Sequence, residues 1–74
     1  MAEDEFLKRL GSHIRKKRKA KGISVREFEL EYDFDRAQLS RIERGESSIQ
    51  LVTLKKILRA LNITLKEFFS DFEE

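Results

Sequence analysis

The sequence contains no cysteine, no proline and no tryptophan, and only three of its 74 residues are glycine. A chain without cysteine forms no disulfide bond and no thiolate metal site, which fits a reducing cytosol. Because proline is absent, no helix is forced to break, and the glycines become the main signals for helix ends. No apolar run is long enough to cross a membrane, and the acidic start of the chain differs from a signal peptide. We therefore expect a cytoplasmic protein without a membrane partner.

The length of 74 residues suits one small domain, so residues 1–74 are treated as a single unit. Charge is unevenly distributed along it. Residues 1–22 contain eight basic and three acidic side chains, whereas residues 23–35 contain one basic and five acidic side chains. This polarity is typical of a basic face that contacts phosphates. A solvated helix surface explains the same charges equally well, so charge alone does not define the function.

Apolar residues recur at helical spacing in five segments, and no segment alternates as a β-strand does. The first helix is expected from about Asp4 to Lys21, with residues 4–10 as an N-terminal extension and Gly22 as its left-handed end. Gly11 lies inside this helix, where glycine costs about 1 kcal/mol relative to alanine. We expect Gly11 to permit close packing or a slight bend.

Three later helices begin with the pattern of a capping box, in which a serine, threonine or aspartate precedes glutamate or glutamine by three residues. The three pairs are Ser24 with Glu27, Asp35 with Gln38, and Thr64 with Glu67. They place the starts of the second, third and fifth helices just after residues 24, 35 and 64.

The fourth helix is expected from about Leu51 to Leu61, because leucine and isoleucine recur on one face. The residues of this face are Leu51, Leu54, Ile57, Leu58 and Leu61. The sequence therefore predicts a compact all-α bundle of five helices, with a helix-turn-helix at about 24–44 and a frayed tail at 71–74. Phenylalanines are expected mainly in its core, including Phe34 in the turn between the second and third helices.

The segment Leu39-Ser40-Arg41-Ile42-Glu43-Arg44-Gly45 resembles the helix-turn-helix proteins of the Cro and lambda-repressor type, the Xre family. The resemblance covers about residues 10–69. It is supported by Ile14-Arg15-x-x-Arg18, Gly22-Ile23-Ser24, Phe28 and Leu54-x-x-Ile57-x-x-Ala60-Leu61. It implies a lambda-repressor-like fold whose third helix is the DNA-recognition helix. It also implies a structural ion pair between Arg18 and Glu43.

The resemblance assigns DNA contacts to two groups of residues. Side chains early in a recognition helix reach base edges in the major groove, and these are Arg36, Ala37, Ser40 and Arg41. Phosphate contacts are expected at the start of the second helix and near the end of the third, at Ser24, Val25, Arg26, Arg44, Ser47 and Ser48. Two phenylalanines near the C-terminus, Phe69 and Phe72, are candidates for a dimer interface.

Enzyme chemistry has no support in the sequence. His13 is the only histidine, and it has no cysteine or second histidine at the spacing of a metal site. We expect it on the surface of the first helix. No serine is placed beside a general base, and no glycine-rich phosphate loop is present. The sequence thus predicts a non-enzymatic protein without a metal or cofactor.

The leading hypothesis is a sequence-specific regulator of transcription that binds double-stranded DNA, a repressor or autoregulator acting as a homodimer on a palindromic operator. A prokaryotic cytoplasm is implied, with nucleoid association when bound. Restriction–modification controllers, small phage-type repressors and antitoxins all fit this size, which makes a toxin or RNA polymerase a further candidate partner. The alternative is an interaction module or antitoxin on the same fold with weak or lost DNA binding. Val25 and the acidic run 27–35 favour that alternative.

Overall fold

Five helices follow one another in the structure, a computed structural model that describes residues 2–73. They are α1 (Glu3–Ala20), α2 (Val25–Tyr32), α3 (Arg36–Glu43), α4 (Leu51–Ala60) and α5 (Leu65–Ser70). The described residues contain no β-strand. The prediction of an all-α, five-helix fold is confirmed, and the helix bounds agree closely with those expected from the sequence. None of the described helices is long and apolar enough to span a bilayer.

Local hydrogen bonds explain why α2 and α5 begin where they do. The Ser24 hydroxyl accepts from the Glu27 amide at 3.1 Å, and the Glu27 carboxylate accepts from the Ser24 amide at 3.2 Å. Thr64 and Glu67 exchange the same two bonds at the start of α5. Each box satisfies amides that have no partner within the helix.

The start of α3 differs from the predicted capping box. The Asp35 carboxylate accepts from the Ala37 amide at 2.9 Å, and the Gln38 side chain makes no return bond. The Arg36 amide is instead bonded by a side chain of α2, because the Glu29 carboxylate accepts from it at 3.2 Å. Two carboxylates thus cap α3, one of them supplied across the turn, and Gln38 remains exposed.

The core fills the space enclosed by all five helices. Its fully buried members come from every helix: Ile14, Phe28, Leu39, Ile57, Leu58, Leu61 and Phe68. Phe34 is 8% exposed and joins this core from the turn between α2 and α3, as expected. Leu51 does not: its prediction as a core residue is wrong, since 67% of it is exposed. It is the first residue of α4 and lies one turn beyond Leu54, the outermost buried residue of that helix.

Helix α1 crosses the end of α3 with almost no space between the two backbones. A Cβ atom on Gly11 would collide with the backbone carbonyl groups of Ile42 and Glu43. Close packing, one of the two roles expected for Gly11, is therefore its observed role. The crossing fixes the direction in which α3 leaves the core.

His13 and the C-terminal tail contradict the sequence expectations. His13 is buried, with its Nε2 atom 2.7 Å from the Phe68 carbonyl oxygen and 3.1 Å from the Asp71 carboxylate. Asp71 also accepts from the Lys17 ammonium at 2.8 Å, and the Phe72 ring lies edge-on to His13. The tail is thus docked on α1 at residues 71 and 72 rather than frayed there. Residue 74 lies outside the described residues.

Candidate nucleic-acid interface

The outward face of α3 carries the side chains that were expected to read bases. Leu39 and Ile42 point into the core, with 1% and 4% of their surface exposed. On the other side of the helix, Ala37 and Arg41 are exposed, and Ser40 is half-buried beside them. The fold therefore presents one polar and cationic face of α3 to solvent, which is the geometry that a major groove accepts.

A buried ion pair holds that helix in place. The Arg18 guanidinium donates to both oxygens of the Glu43 carboxylate, at 2.8 and 2.9 Å. A third bond runs from Arg18 to the Ile23 carbonyl oxygen at 2.6 Å. The two side chains are only 7% and 6% exposed. The pair joins α1, the turn before α2 and the last turn of α3, so the structure places Arg18 and Glu43 in a positioning role.

Arg36 is less available for base contact than its exposure suggests. Its guanidinium lies 4.0 Å from the Glu29 carboxylate, the same group that caps its amide. The side chain is 59% exposed, so the interaction is screened by water. Arg41 has no carboxylate within ion-pair distance among residues 2–73. Of the two arginines, Arg41 is the one whose donors are free for a base edge.

The N-terminus of α2 meets the outward face of α3 in a shallow depression. Val25, Ser40 and Arg44 contribute to it, together with Arg15 of α1. The first amides of α2 lie at its positive end and suit a phosphate oxygen. Ser24 and Arg26 flank this end and are both exposed. Val25, an expected phosphate contact, therefore shares this depression with Ser40, which is expected to reach base edges.

Arg44 follows α3 and is paired with a close neighbour. Its guanidinium donates to the Glu46 carboxylate at 2.8 and 3.2 Å, and the two side chains are 57% and 54% exposed. The hydrogen bond to Glu46 raises the pKa of Arg44 above its ordinary value. The same bond lowers the pKa of Glu46, and the charges of Arg44 and Arg41 add to that lowering. Both groups stay charged near neutral pH. Because the pair is exposed, Arg44 can leave the Glu46 carboxylate and bind another anion.

The loop between α3 and α4 forms a second depression beside the recognition helix. Ser47 and Ser48 line it together with Gln38 of α3. Gln38 was not expected to contact DNA, because the sequence pattern assigned it to a capping box. A glutamine amide can bond adenine bidentately at N6 and N7. Gln38 is a candidate base contact because it lies one turn before Arg41, on the side of α3 next to this loop.

Two further residues were absent from the expected interface. Arg15 lies in the depression formed with Val25 and Arg44, because α1 crosses α3 at Gly11. Lys8 lies against Gly45, at the turn that follows α3. Neither contact follows from local sequence patterns, since both depend on the crossing of two distant helices.

Most acidic side chains of the run 27–35 have a structural role. Glu27 closes the capping box of α2, Glu29 and Asp35 cap α3, and Asp33 adopts the left-handed conformation that ends α2, with φ of 51°. Only Glu31 lacks such a task among the described contacts. The acidic residues therefore explain how the turn of the helix-turn-helix is built.

The candidate dimer residues differ in their surroundings. Phe69 is 41% exposed, whereas Phe72 is half-buried against Phe6 and Phe69, with ring centroids 6.0 and 5.7 Å away. Of the two candidate rings, Phe69 is therefore the one with more apolar surface exposed to solvent. Residues 2–73 contain no group of three or more potential metal ligands in binding proximity.

Comparison with known proteins places the chain in a family. The sequence profile of the helix-turn-helix family HTH_3 matches residues 14–68. The chain belongs to the helix-turn-helix family, whose members are non-enzymatic, DNA-binding regulators of transcription. The resemblance to Xre-type proteins is thereby confirmed.

Individual relatives cover almost the whole chain. The control protein C.MunI from Mycoplasma sp. is 43% identical over 67 residues, which span 89% of this chain and 90% of that protein. The crystal structure of the restriction-modification controller protein C.AhdI from Aeromonas hydrophila superposes with a TM-score of 0.80 at 32% identity, covering 88% of this chain and 98% of the other. A helix-turn-helix transcriptional regulator from Vibrio cholerae gives a TM-score of 0.83 at 30% identity, covering 95% of this chain and 39% of the other.

Proposed function

We propose that this protein is a homodimeric controller of transcription for a restriction–modification system. The observation that carries the proposal is the outward face of α3, where Arg41 is exposed without a carboxylate partner in the described residues. The choice among small regulators rests on relatives. Two proteins named as control proteins match this chain over nearly their whole lengths.

In the proposed complex, α3 enters the major groove and its first turns face the base edges. Arg41 is the main base reader, because an arginine bonds guanine O6 and N7 bidentately. Ser40 and Ala37 shape the contact around it, and Arg36 reaches the bases when it leaves Glu29. The contribution of one such arginine to discrimination is about 1–3 kcal/mol.

Phosphate contacts orient the helix without reading sequence. The exposed N-terminus of α2 supplies Ser24, Arg26 and the amide of Val25, and the side chain of Val25 adds no hydrogen bond. Arg44, Ser47 and Ser48 supply contacts on the other side of α3. Because Arg44 is paired with an exposed carboxylate, a phosphate replaces Glu46 as its partner at little cost.

A palindromic operator follows from a two-fold dimer, since two recognition helices about 34 Å apart meet successive turns of the same groove face. The exposed ring of Phe69 is the proposed centre of the dimer contact. Such a protein acts in the prokaryotic cytoplasm and lies on the nucleoid when bound. RNA polymerase is the proposed protein partner at the promoter. A toxin stays the alternative partner that the size of the chain allows.

The direct test is binding to labelled duplexes from the DNA upstream of the gene and of adjacent restriction–modification genes. We expect fluorescence anisotropy to show one fragment bound far more tightly than a scrambled duplex, with affinity falling steeply as salt rises. Absence of binding to every fragment at low salt would contradict the DNA-binding function.

The dimer is tested separately by sedimentation of the wild type, Phe69→Ser and Phe72→Ser. We expect only Phe69→Ser to shift the chain toward the monomer while it remains folded. A dimer unchanged by Phe69→Ser removes that ring from the proposed interface.

A further inference from the structure

A row of polar side chains runs along α1 beside the recognition helix. Lys8, Ser12, Arg15 and Lys19 are spaced by four, three and four residues, which places them on one face of a helix. All four are exposed, and α1 is continuous from Glu3 to Ala20. We call this row the α1 stripe. Three of its four members are cationic.

The middle of the α1 stripe faces the same solvent space as the candidate DNA interface. Arg15 lines the depression that also contains Val25, Ser40 and Arg44. Those residues belong to the phosphate-binding and base-reading groups proposed above. A DNA backbone that approaches the N-terminus of α2 therefore passes within reach of Arg15.

The N-terminal end of the stripe lies at the other border of the interface. A Cβ atom on Gly45 would lie 2.5 Å from the Lys8 Cα atom and 2.8 Å from its Cγ atom. Lys8 is thus packed on the turn between Arg44 and the loop that carries Ser47 and Ser48. The stripe extends from this turn past the N-terminus of α2.

The charges of the stripe are not neutralised within the protein. No carboxylate in residues 2–73 lies within ion-pair distance of Lys8, Arg15 or Lys19. Two acids at the end of α3, Glu43 and Glu46, are held by Arg18 and Arg44 respectively. Glu5, Asp71 and Glu73 border a depression with Lys8 and Ser12 but form no ion pair with the stripe. Lys17 differs in this respect, since it is paired with Asp71 at 2.8 Å.

We propose that the α1 stripe is a second phosphate-binding track, which contacts the DNA backbone bordering the groove that α3 enters. The proposal rests on the DNA-binding function proposed above and adds α1 to its contact surface. Because its contacts are to phosphate, the stripe strengthens binding to every sequence and leaves sequence discrimination unchanged.

The test removes two positive charges from the α1 stripe and compares the effect on DNA binding with that of removing two positive charges elsewhere on the protein. The double variant Lys8→Ala/Arg15→Ala is compared with Lys56→Ala/Lys66→Ala, which removes two exposed lysines from outside the stripe, on α4 and α5. Affinity is measured by anisotropy over a range of salt, on the tightest natural fragment and on a scrambled duplex. Thermal unfolding by circular dichroism checks that both variants fold.

Each neutralised phosphate contributes about 0.9 to the slope of log K against log salt. We therefore expect the stripe variant to lower that slope by about 2 and to lose the same factor of affinity on both duplexes. The control variant is expected to keep the wild-type slope. Equal slopes for the stripe variant and the wild type would overturn the proposal, as would an equal decrease in both variants, which indicates net charge alone. A wild-type chain that binds no duplex contradicts the proposed function itself, and the stripe proposal with it.

Discussion

Two arginine–glutamate pairs lie near the end of α3. They consist of the same residue types but differ in how far their side chains are exposed to water. Arg18 and Glu43 are 7% and 6% exposed at the crossing of α1 and α3, whereas Arg44 and Glu46, just after the end of α3, are 57% and 54% exposed. Both arginines bond two oxygens of their partner. The same pair of residue types is therefore buried between helices at one position and exposed to solvent at the other.

Burial accounts for the difference. At the crossing, each charge depends on its partner, because water is excluded and an unpaired charge there is costly. On the surface, water and salt screen the pair, so each partner is easily replaced. The buried pair thus holds α3 in place, and the exposed pair leaves Arg44 able to exchange Glu46 for the proposed phosphate.

The largest expected effect comes from breaking the buried pair. Arg18→Met leaves the Glu43 carboxylate without its partner, and we expect a loss of about 3–5 kcal/mol in the free energy of unfolding. The matched variant Arg44→Met is expected to change stability by less than about 1 kcal/mol, since its pair is exposed. Urea unfolding measures both. Similar losses in the free energy of unfolding would show that burial does not distinguish the two pairs.

The next effect concerns the backbone contact beside the buried pair. Gly11→Ala places a methyl group on the carbonyls of Ile42 and Glu43, so α1 must move away from α3. We expect a destabilisation of about 1–3 kcal/mol from overpacking, although alanine favours a helix by about 1 kcal/mol. Ser12→Ala, on the exposed side of the same helix, is the control and is expected to be neutral or slightly stabilising. A stabilised Gly11→Ala protein would show that the crossing tolerates a side chain.

A smaller effect is expected from releasing the exposed pair. Glu46→Gln frees Arg44 and removes a negative charge near the proposed phosphate path. We expect DNA affinity to rise by a factor of about 2–5 on all sequences, which corresponds to less than about 1 kcal/mol. Glu31→Gln, at an exposed position without a structural task, is the control in the same anisotropy assay. A gain restricted to one sequence would assign Glu46 to base reading instead.

The smallest effect is a pH dependence at the docked tail. The hydrogen bond from Lys17 lowers the pKa of Asp71, with smaller contributions from the charges of Lys17 and His13. A lowered pKa stabilises the fold above the ordinary aspartate pKa of about 4, and this stabilisation is lost as pH falls through the folded-state value. Urea unfolding between neutral and acidic pH measures it. Asp71→Asn is expected to flatten the acid limb slightly, whereas Glu73→Gln leaves it unchanged, and an unaltered limb in Asp71→Asn would contradict the tail contact.

Sequence patterns predicted the parts of this fold that depend on neighbouring residues. The helix starts after Ser24 and Thr64, the left-handed end at Gly22 and the core position of Phe34 all follow from local spacing. Leu51 was assigned wrongly because helical periodicity does not show where the core stops.

Tertiary contacts were beyond the reach of those patterns. His13 is buried because α5 and the tail pack on it, and its polar ring gave no sign of this. Asp35 and Gln38 have the spacing of a capping box, but a carboxylate from α2 competes for the start of α3. Arg15 enters the candidate interface only through the crossing of α1 and α3. The candidate residues on α2 and α3 and the ion pair of Arg18 with Glu43 were predicted from the family resemblance, whereas the position of Arg15 and Lys8 beside them was not.

The most direct test of the account is the sequence discrimination of Arg41→Ala, because the exposed face of α3 is its central claim. Affinities for the tightest natural fragment and for a scrambled duplex are measured at one salt concentration, with Arg26→Ala as the phosphate-contact control. We expect Arg41→Ala to lower the difference between the two binding free energies by about 1–3 kcal/mol. We expect Arg26→Ala to lower both affinities while preserving their ratio. An Arg41→Ala protein that loses affinity equally on both duplexes would contradict base reading by α3.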